Sequence, residues 1–533
     1  EYDKYGISPS LAFGIGEATR VTLDYYHLTD KGTPDYSIPY DLATGLPVTE
    51  TMDVDSDNFY GLINRDFRET KTDIGTVIVE HEFNDRLRLR NVSRVGQSSN
   101  DYVVTNPDDS RGNVEDGFVY RSVKQRASET ETFANQLDLS GDFNTGRFAH
   151  RFTTGLELSR EKRRSDSYNV TSAAAAFGSD CSSTDVDPAT GLTFGQLLRN
   201  NGDCTSLYDP EPYDDWQGTI ERADDPTYYQ TDVAAIYGFD TMELNEHWLV
   251  SAGLRLDHYE TEAHTPSDPG SDVDASDSFV NYQLGLVYKP VEAGSIYLSH
   301  GTSTTPAPLA GNDSDAPDAG GQGRRGFTPD NTDLDPEETT SFEIGTKWEL
   351  FDQRLLVTAA AFHLKRENAY IQTGAGDQDF SYAGETRVRG VEFGVSGRIT
   401  PRWQVFGGYS YLDSELTEGG FENVAEGEQL PNVPEHSVTL FTNYAVTPTV
   451  AVGGGATYVD EVFGSLSSEP PKRVPDYWRF DANASWQVAP STRLRLNVLN
   501  LTDETYYTKA YASHYAAQGP GRQVLLSADF TFE

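Results

Sequence analysis

The sequence predicts an all-β fold, a membrane-spanning antiparallel β-barrel, and two observations carry this prediction. Segments of about ten residues or more alternate between apolar and polar side chains, and a period of two places the two sets on opposite faces of a sheet. The connections between these segments are alternately short and long. This is the asymmetry of a barrel that has tight turns at one end and long loops at the other.

The alternation is clearest in four segments, residues 248–257, 341–350, 479–488 and 523–532. In the last segment Leu525 is the one apolar residue on the polar face, and the opposite face carries Val524, Leu526, Ala528, Phe530 and Phe532. A soluble β-sandwich also alternates, but its strands are usually about five or six residues long. A sandwich also has no reason to sort its connections by length, so the pattern favours the barrel.

Short and long connections alternate strictly along the chain, so each kind is expected at one end of the sheet. Short ones are expected near Gly16, Asn84, Asn144, Asn245, Glu292, Asp352, Pro401, Pro448 and Pro490. Long ones are expected at residues 30–71, 100–116, 166–226, 262–277, 304–337, 367–381, 417–433, 464–475 and 508–520.

The segments between these connections number about nineteen, from residues 5–14 to residues 521–532. Bacterial single-chain barrels have an even number of strands. An odd number places the two ends of the chain on opposite sides, so we expect leading strands to be missing. The count also exceeds the 16–18 strands of porins and points to the 22-stranded class with a plugged lumen.

The composition excludes some functions and leaves others open. The net charge is −43, from 41 Lys+Arg against 84 Asp+Glu, which argues against a nucleic-acid partner. Acidic residues concentrate in the loops, for example Asp313, Asp315, Asp318, Asp330, Asp333 and Asp335. They form either a solvated, salt-adapted exterior or a cation-binding surface, although no segment matches the twelve-residue Ca²⁺ loop of an EF-hand.

The chemistry-bearing residues give no reason to predict an enzyme or a metal site. The ten His residues are dispersed, and no HExxH motif or Ser/His/Asp grouping is present. Cys181 and Cys204 are the only cysteines, and both lie in the long loop at residues 166–226. A pair within one loop predicts a disulfide formed in an oxidising compartment, with metal binding by two lone thiols as the alternative.

Several segments carry a family resemblance. LRLNVLNLTDETYYT at residues 494–508 resembles the penultimate strand of TonB-dependent outer-membrane receptors, and GRQVLLSADFTF at 521–532 is similar to their closing strand. Residues 334–369, 384–416 and 430–444 resemble the middle of that barrel.

The opening segment narrows the resemblance to one branch of the family. YGISPSLAFGIGEATRVTLDYYHLTDKGTPDYSIPY at residues 5–40 resembles the siderophore branch, particularly receptors for ferric catecholates. The chain departs from the family in two respects. All of residues 1–533 correspond to the barrel, so the plug, the TonB box and about three leading strands are expected to be absent, and the last residue is Glu533 instead of an aromatic residue.

The resemblance implies a function. It implies active import of a ferric siderophore, of catecholate type, across the bacterial outer membrane, with the TonB complex as the energy source. Iron enters only as cargo, and no cofactor is expected. The expected form is a monomer with periplasmic turns, extracellular loops and contacts to outer-membrane lipid and lipopolysaccharide. The alternatives are TonB-dependent import of cobalamin, haem or an oligosaccharide, and a structural or adhesive barrel.

The binding site of such a receptor should combine aromatic rings with cations, because a ferric catecholate is a bulky aromatic anion. Arg387 and Arg389 alternate with Val388 at the outer end of a strand, which predicts that they face the lumen. The other candidates lie in or beside long loops: Tyr36, Tyr40, Tyr213, Trp216, Arg324, Arg325, Phe327, Tyr370 and Tyr382. Interface tyrosines and ion-paired arginines are the alternative for these positions.

Overall fold

The computed structural model describes residues 2–306, 335–372, 380–419, 426–464, 470–511 and 514–531. Its strands, in chain order, are β1 Tyr2–Ile7, β2 Ser10–Phe13, β3 Thr19–Gly32, β4 Ile38–Asp41, β5 Leu46–Pro47, β6 Phe67–Asn84, β7 Leu87–Asp108, β8 Phe118–Thr145, β9 Phe148–Asp166, β10 Tyr168–Ser172, β11 Cys204–Ser206, β12 Gly218–Arg222, β13 Thr227–Asn245, β14 Trp248–His264, β15 Val273–Val291, β16 Gly294–Thr305, β17 Glu337–Leu350, β18 Leu355–Gln372, β19 Phe380–Thr400, β20 Trp403–Glu418, β21 His436–Ala445, β22 Val450–Val459, β23 Val462–Phe463, β24 Arg473–Val474, β25 Tyr477–Ala489, β26 Thr492–Leu499, β27 Tyr507–Ala510, β28 Tyr515–Gln518 and β29 Gln523–Phe530. The helices are α1 Val48–Thr51 and α2 Phe194–Asn200, with short 3₁₀ turns at Ala175–Phe177 and Pro269–Ser271.

One antiparallel sheet contains all the long strands, each paired with its neighbours in the chain. Strands β1 and β2 are two parts of one barrel strand, because both pair with β3. With the three-residue β11 left aside, the described residues form nineteen barrel strands. The predicted strand number is therefore confirmed. Among the described residues, no helix is long and apolar enough to span a membrane.

The predicted alternation of connections is also confirmed. The short connections are residues 14–18, 85–86, 146–147, 246–247, 292–293, 351–354, 401–402, 446–449 and 490–491, and they join the strands at one end of the sheet. Gly14, in the first of these turns, has a φ of +69°, and an added Cβ would lie 2.1 Å from the Thr19 carbonyl oxygen, so this turn requires glycine.

At the loop end, several strands continue further than the sequence predicts. Strand β7 has 22 residues and β8 has 28, whereas about 9–11 tilted residues cross a bilayer. These strands therefore extend beyond the membrane, and the connection between them shrinks from the predicted residues 100–116 to residues 109–117.

The apolar face of the sheet is exposed, as a lipid-facing surface requires. Leu156, Ile236, Leu256 and Val280 are direct cross-strand neighbours on β9, β13, β14 and β15. Their side chains are 51, 53, 46 and 53% exposed. We call these four residues the lipid-facing row. The opposite face carries polar contacts such as that between Arg255 Nη1 and Glu157 Oε2 at 2.9 Å, so this face lines the lumen.

The buried apolar core lies in the loop layer above the sheet. One cluster contains Ile38, Val48, Val54, Tyr60, Val114, Val119 and Leu207, and a second contains Tyr40, Val462, Val474, Tyr507, Ala510 and Ala516. Both clusters join residues that are far apart in the sequence. The loops therefore form a packed layer that can hold a site rigidly.

The long loop at residues 167–226 is crosslinked within itself. Cys181 and Cys204 form a disulfide, and both are buried against Leu198 of α2. The Thr193 hydroxyl accepts a hydrogen bond from the backbone N–H of Gln196 and caps α2.

Removing this disulfide is expected to loosen the loop while the barrel stays intact. A crosslink of 23 residues stabilises by about 3 kcal/mol in the chain-entropy model. In a Cys181→Ser/Cys204→Ser variant, limited proteolysis should therefore cut within residues 167–226 much faster than in the wild-type protein. The heat-dependent gel shift of the folded barrel should not change. Equal cleavage rates in the two proteins would contradict this expectation.

Candidate ligand-binding site

A cavity of about 690 Å³ lies at the loop end of the sheet. The first long loop, the final long loop and the upper parts of β6, β7 and β8 surround it. Its lining includes Tyr36, Arg68, Tyr102, Arg126 and Tyr515. We call this cavity the loop-end pocket.

Aromatic rings form one side of the pocket. The ring centroids of Tyr36 and Tyr515 are 5.2 Å apart and the rings are stacked. The Tyr511 and Tyr515 centroids are 4.5 Å apart. Burial raises the pKa of Tyr36, so its phenol stays neutral near pH 7. The three rings offer apolar faces and hydroxyl groups to an aromatic ligand.

Cations form the other side. Arg68, Tyr102 and Arg126 are direct cross-strand neighbours on β6, β7 and β8. The Arg126 guanidinium lies 5.9 Å from the Tyr102 ring centroid, and Lys124 Nζ lies 5.3 Å from that of Tyr515. Arg68 is exposed and makes no ion pair with a described residue. The lining of the pocket carries two arginines, Arg68 and Arg126, and two aspartates, Asp35 and Asp57, so the pocket is far less acidic than a chain whose net charge is −43.

The pocket lies on the lumen side of the sheet. Tyr102 shares a strand face with Arg94 and Arg90 on β7, because all three are separated by even numbers of residues. Val95 lies on the opposite face and is 58% exposed. A ligand in the pocket would thus sit at the mouth of the lumen.

Two buried acceptors of the pocket lack partners among the described residues. These are Asn100 Oδ1 and Gln518 Oε1. The Gln518 amide nitrogen donates to the Ser56 carbonyl, which fixes the orientation of the side chain. A buried acceptor without a donor costs free energy, so both oxygens suit a ligand that carries N–H or O–H groups.

An ion cluster next to the pocket joins three long loops. It consists of Asp108, Asp109, Lys472 and His514, and we call it the loop ion cluster. His514 Nδ1 lies 2.9 Å from Asp109 Oδ1 and 3.2 Å from Asp108 Oδ1, and Lys472 Nζ donates to Asp109 Oδ2 at 2.5 Å. Burial alone lowers the pKa of His514, but the hydrogen bonds and charges of the two aspartates outweigh it and raise the pKa to about 9.

The loop ion cluster positions the rings of the pocket. His514 directly precedes Tyr515 in the chain. Asp108, Asp109 and His514 approach closely enough to hold a metal ion. However, the ammonium of Lys472 and the protonated imidazole of His514 already neutralise the two carboxylates, so we assign the cluster a structural role.

The predicted loop aromatics fall into three groups. Tyr36 lines the pocket. Tyr40 is fully buried, and its hydroxyl accepts a hydrogen bond from the backbone N–H of Tyr511, so it supports a pocket residue without facing the ligand. Tyr213 is 79% exposed and Trp216 donates from Nε1 to Asp203 Oδ1, and neither lines the pocket.

The prediction that Arg387 and Arg389 face the lumen is wrong. The register pairs Ile344 with Ala361 and Ala361 with Val391, so odd-numbered residues of β19 share the lipid-facing side with the exposed Phe393. Above the bilayer, outward residues meet water and can be polar, so alternation with an apolar residue no longer identifies the lumen face. Each arginine pairs with a carboxylate on β20, Glu415 and Asp413 respectively.

Tyr370 and Tyr382 belong to β18 and β19. The residues that lie outside the described part of the chain are Asp313, Asp315, Asp318, Arg324, Arg325, Phe327, Asp330, Asp333, Phe532 and Glu533.

Sequence reasoning missed most of the pocket residues. Arg68, Tyr102 and Arg126 belong to strands, and their alignment depends on the cross-strand register. Tyr511 and Tyr515 gave a signal that could have been used, because they fall in a predicted long loop, at residues 508–520, that also carries His514.

Comparisons with known proteins agree with this architecture. The family model "TonB dependent receptor-like, beta-barrel" matches residues 6–501. The probable TonB-dependent receptor BfrD of Bordetella pertussis is 39% identical over 100% of this chain and 70% of its own length. The crystal structure of the siderophore receptor PiuA from Acinetobacter baumannii has a TM-score of 0.88 at 37% identity, covering 99% of this chain and 74% of that one. The ferric-catecholate import receptor Fiu of Escherichia coli, in its closed form, has a TM-score of 0.80 at 29% identity, covering 100% and 75%. The chain therefore belongs to the TonB-dependent receptors of the bacterial outer membrane, and its sheet is the β-barrel of that family.

Proposed function

We propose that this chain is the barrel of a receptor that imports a ferric siderophore of catecholate type, with energy supplied through TonB. The observation that carries the proposal is the loop-end pocket, where Tyr36, Tyr511 and Tyr515 face Arg68 and Arg126 at the mouth of the lumen. The likeness to PiuA and Fiu, which are described as siderophore and ferric-catecholate receptors, supports the same cargo class.

The chemistry of the pocket fits such a cargo. A ferric catecholate presents flat aromatic rings and a delocalised negative charge, which tyrosine faces and guanidinium groups bind well. The acidic exterior repels an anion, but screening limits this repulsion to about 8–10 Å at physiological ionic strength. Inside the pocket Arg68 and Arg126 balance the charge of Asp35 and Asp57 and attract an anionic ligand at short range.

The wider assembly follows from the same proposal. The receptor acts as a monomer in contact with outer-membrane lipid and lipopolysaccharide, takes iron only as cargo and needs no cofactor. A plug and about three further strands complete the barrel. The strand number supports this part of the proposal, because the described residues supply nineteen strands and the class of barrel with a plugged lumen has 22.

Replacing Tyr36 tests the aromatic side of the pocket. A Tyr36→Ala variant loses a ring that stacks on Tyr515, and we expect ferric-catecholate binding to weaken about two- to twelvefold, since one aromatic contact contributes about 0.5–1.5 kcal/mol. Tyr36→Phe keeps the ring and should bind nearly as the wild-type receptor does. Fluorescence titration of the purified full-length receptor measures both. A Phe variant as weak as the Ala variant would argue against a stacking role.

Import of a different cargo is the competing assignment. Titration of the same receptor with a ferric hydroxamate, cobalamin and haem separates the two. The proposal expects dissociation constants for these ligands at least about tenfold weaker than for a ferric catecholate, because none of them presents anionic catechol rings.

A further inference from the structure

The charges of the loop-end pocket are separated by structural element. Of the described residues that line the cavity, four are charged. Asp35 and Asp57 belong to the first long loop, and we call them the acidic wall. Arg68 and Arg126 belong to β6 and β8, and we call them the basic wall. A ligand that fills the cavity therefore meets carboxylates from the loop and guanidinium groups from the strands.

The protein does not neutralise the acidic wall. Neither Asp35 nor Asp57 forms an ion pair with a described residue, and Arg68 of the basic wall forms none either. The Asp35 carboxylate accepts a hydrogen bond from the backbone N–H of Ser37, with 2.7 Å between N and Oδ1. Asp35 is accessible through the cavity, yet enough protein surrounds its carboxylate that desolvation raises its pKa. A desolvated anion without a counterion is unfavourable, so a cation on the ligand would stabilise this carboxylate.

Uncharged side chains of the lining add further acceptors. The amide nitrogen of Asn58 donates to the carbonyl oxygens of Leu207 and Tyr208, at 3.1 and 3.4 Å, which leaves the side-chain oxygen of Asn58 as an acceptor. Asn100 Oδ1 and Gln518 Oε1 are buried and have no hydrogen-bond partner among the described residues. Acceptors are satisfied by N–H or O–H groups, so these side chains and the acidic wall favour the same kind of ligand group.

The two walls together select a ligand that carries both signs of charge. A wholly anionic ligand pairs with the basic wall but brings like charge towards the acidic wall, which lowers its affinity. We propose that the cargo is a catecholate siderophore whose organic part carries a protonated amine, with the ferric catecholate group against Arg68 and Arg126 and the ammonium group against Asp35 and Asp57. The inference rests on the proposed function and narrows its class of cargo.

Two synthetic probes that differ in one charge test the inference. The first is lysine amide with a dihydroxybenzoyl group on its α-amine and a free side-chain amine, and the second is the same compound with that side-chain amine acetylated. Fluorescence titration of the full-length receptor measures the dissociation constants of their ferric complexes. We expect the wild-type receptor to bind the free-amine complex about tenfold more tightly, since acetylation removes charge-assisted hydrogen bonds to carboxylates. In an Asp35→Asn/Asp57→Asn variant this preference should disappear, because a neutral amide does not attract an ammonium group.

The matched control is Asp209→Asn/Asp215→Asn, which removes the same charge from exposed loop positions outside the lining and should keep the wild-type preference. The heat-dependent gel shift shows that both variants contain folded barrels. Equal and tight binding of the two complexes by the wild-type receptor would overturn this inference and leave the proposed function in place, whereas binding of neither complex would overturn both. A preference that persists in Asp35→Asn/Asp57→Asn would also overturn the inference, because the ammonium group would then be recognised elsewhere.

Discussion

Replacing Arg68 and Arg126 by glutamine is expected to weaken ferric-catecholate binding about 100-fold. Both guanidinium groups line the loop-end pocket, and each charge-assisted hydrogen bond contributes about 1.5–3 kcal/mol when its partner is anionic. The loss should grow at low ionic strength, where the attraction between the two guanidinium groups and the anionic ligand is less screened. Equilibrium titration of the full-length receptor at two salt concentrations measures both effects.

The matched control uses the two arginines that the sequence placed in the lumen. Arg387 and Arg389 lie on the outward face of β19 and pair with carboxylates on β20. An Arg387→Gln/Arg389→Gln variant removes the same charge from the loop end but should leave the dissociation constant unchanged. If the outward pair weakened binding as much as the pocket pair, net charge and not the pocket would explain the result.

Removing Asp109 is expected to destabilise the loop layer by about 3–5 kcal/mol, because it removes the carboxylate that binds the mostly buried Lys472 and the nearer of the two carboxylates that bind His514. Hydrogen exchange of residues 500–522 should accelerate accordingly in Asp109→Ala. Asp413→Ala is the control, since it removes the partner of an arginine that is 54% exposed and should cost less than about 1 kcal/mol. Equal protection in the two variants would contradict the role of the loop ion cluster.

The same cluster predicts a pH dependence with a definite sign. His514 has a pKa of about 9 in the folded protein and about 6.5 when unfolded, so its proton stabilises the folded loops. This contribution, about 3 kcal/mol, is fully present below pH 6.5 and is lost as the pH rises to 9 and beyond. Exchange of residues 500–522, corrected for its intrinsic pH dependence, should accelerate over this range. His514→Gln should show no such change, and an identical profile in that variant would assign the effect to another group.

The parts of the fold that depend on local pattern could be predicted from the sequence. The alternation of short and long connections predicts nineteen strands. The period-two alternation of apolar and polar residues places Leu254, Phe342 and Trp486 on the correct, lipid-facing side. The lengths of β7 and β8 could not be predicted, because above the bilayer both faces of a strand can be polar. The same physical reason made the face of Arg387 unpredictable.

The sequence predicted the types of residue in the binding site but not most of its members. The cargo that the resemblance implies requires aromatic rings and cations near the loops, and of the predicted aromatic residues Tyr36 lines the pocket. The other members come together through pairings between distant residues. Asp109 and Lys472 are 363 positions apart in the sequence, and Arg68 and Arg126 are aligned only because both pair with Tyr102 of β7. The spacing of residues along the sequence does not indicate such contacts.

Uptake of radiolabelled ferric catecholate tests the central claim most directly. Cells that lack their own catecholate receptors would carry the full-length gene for this barrel, either wild-type or with Arg68→Gln/Arg126→Gln, at equal levels in the outer membrane. We predict saturable uptake that requires the gene and TonB and that falls sharply in the variant at low ligand concentration. Uptake that is the same with and without the gene would contradict the proposed function, and uptake that is unchanged in the variant would contradict the proposed pocket.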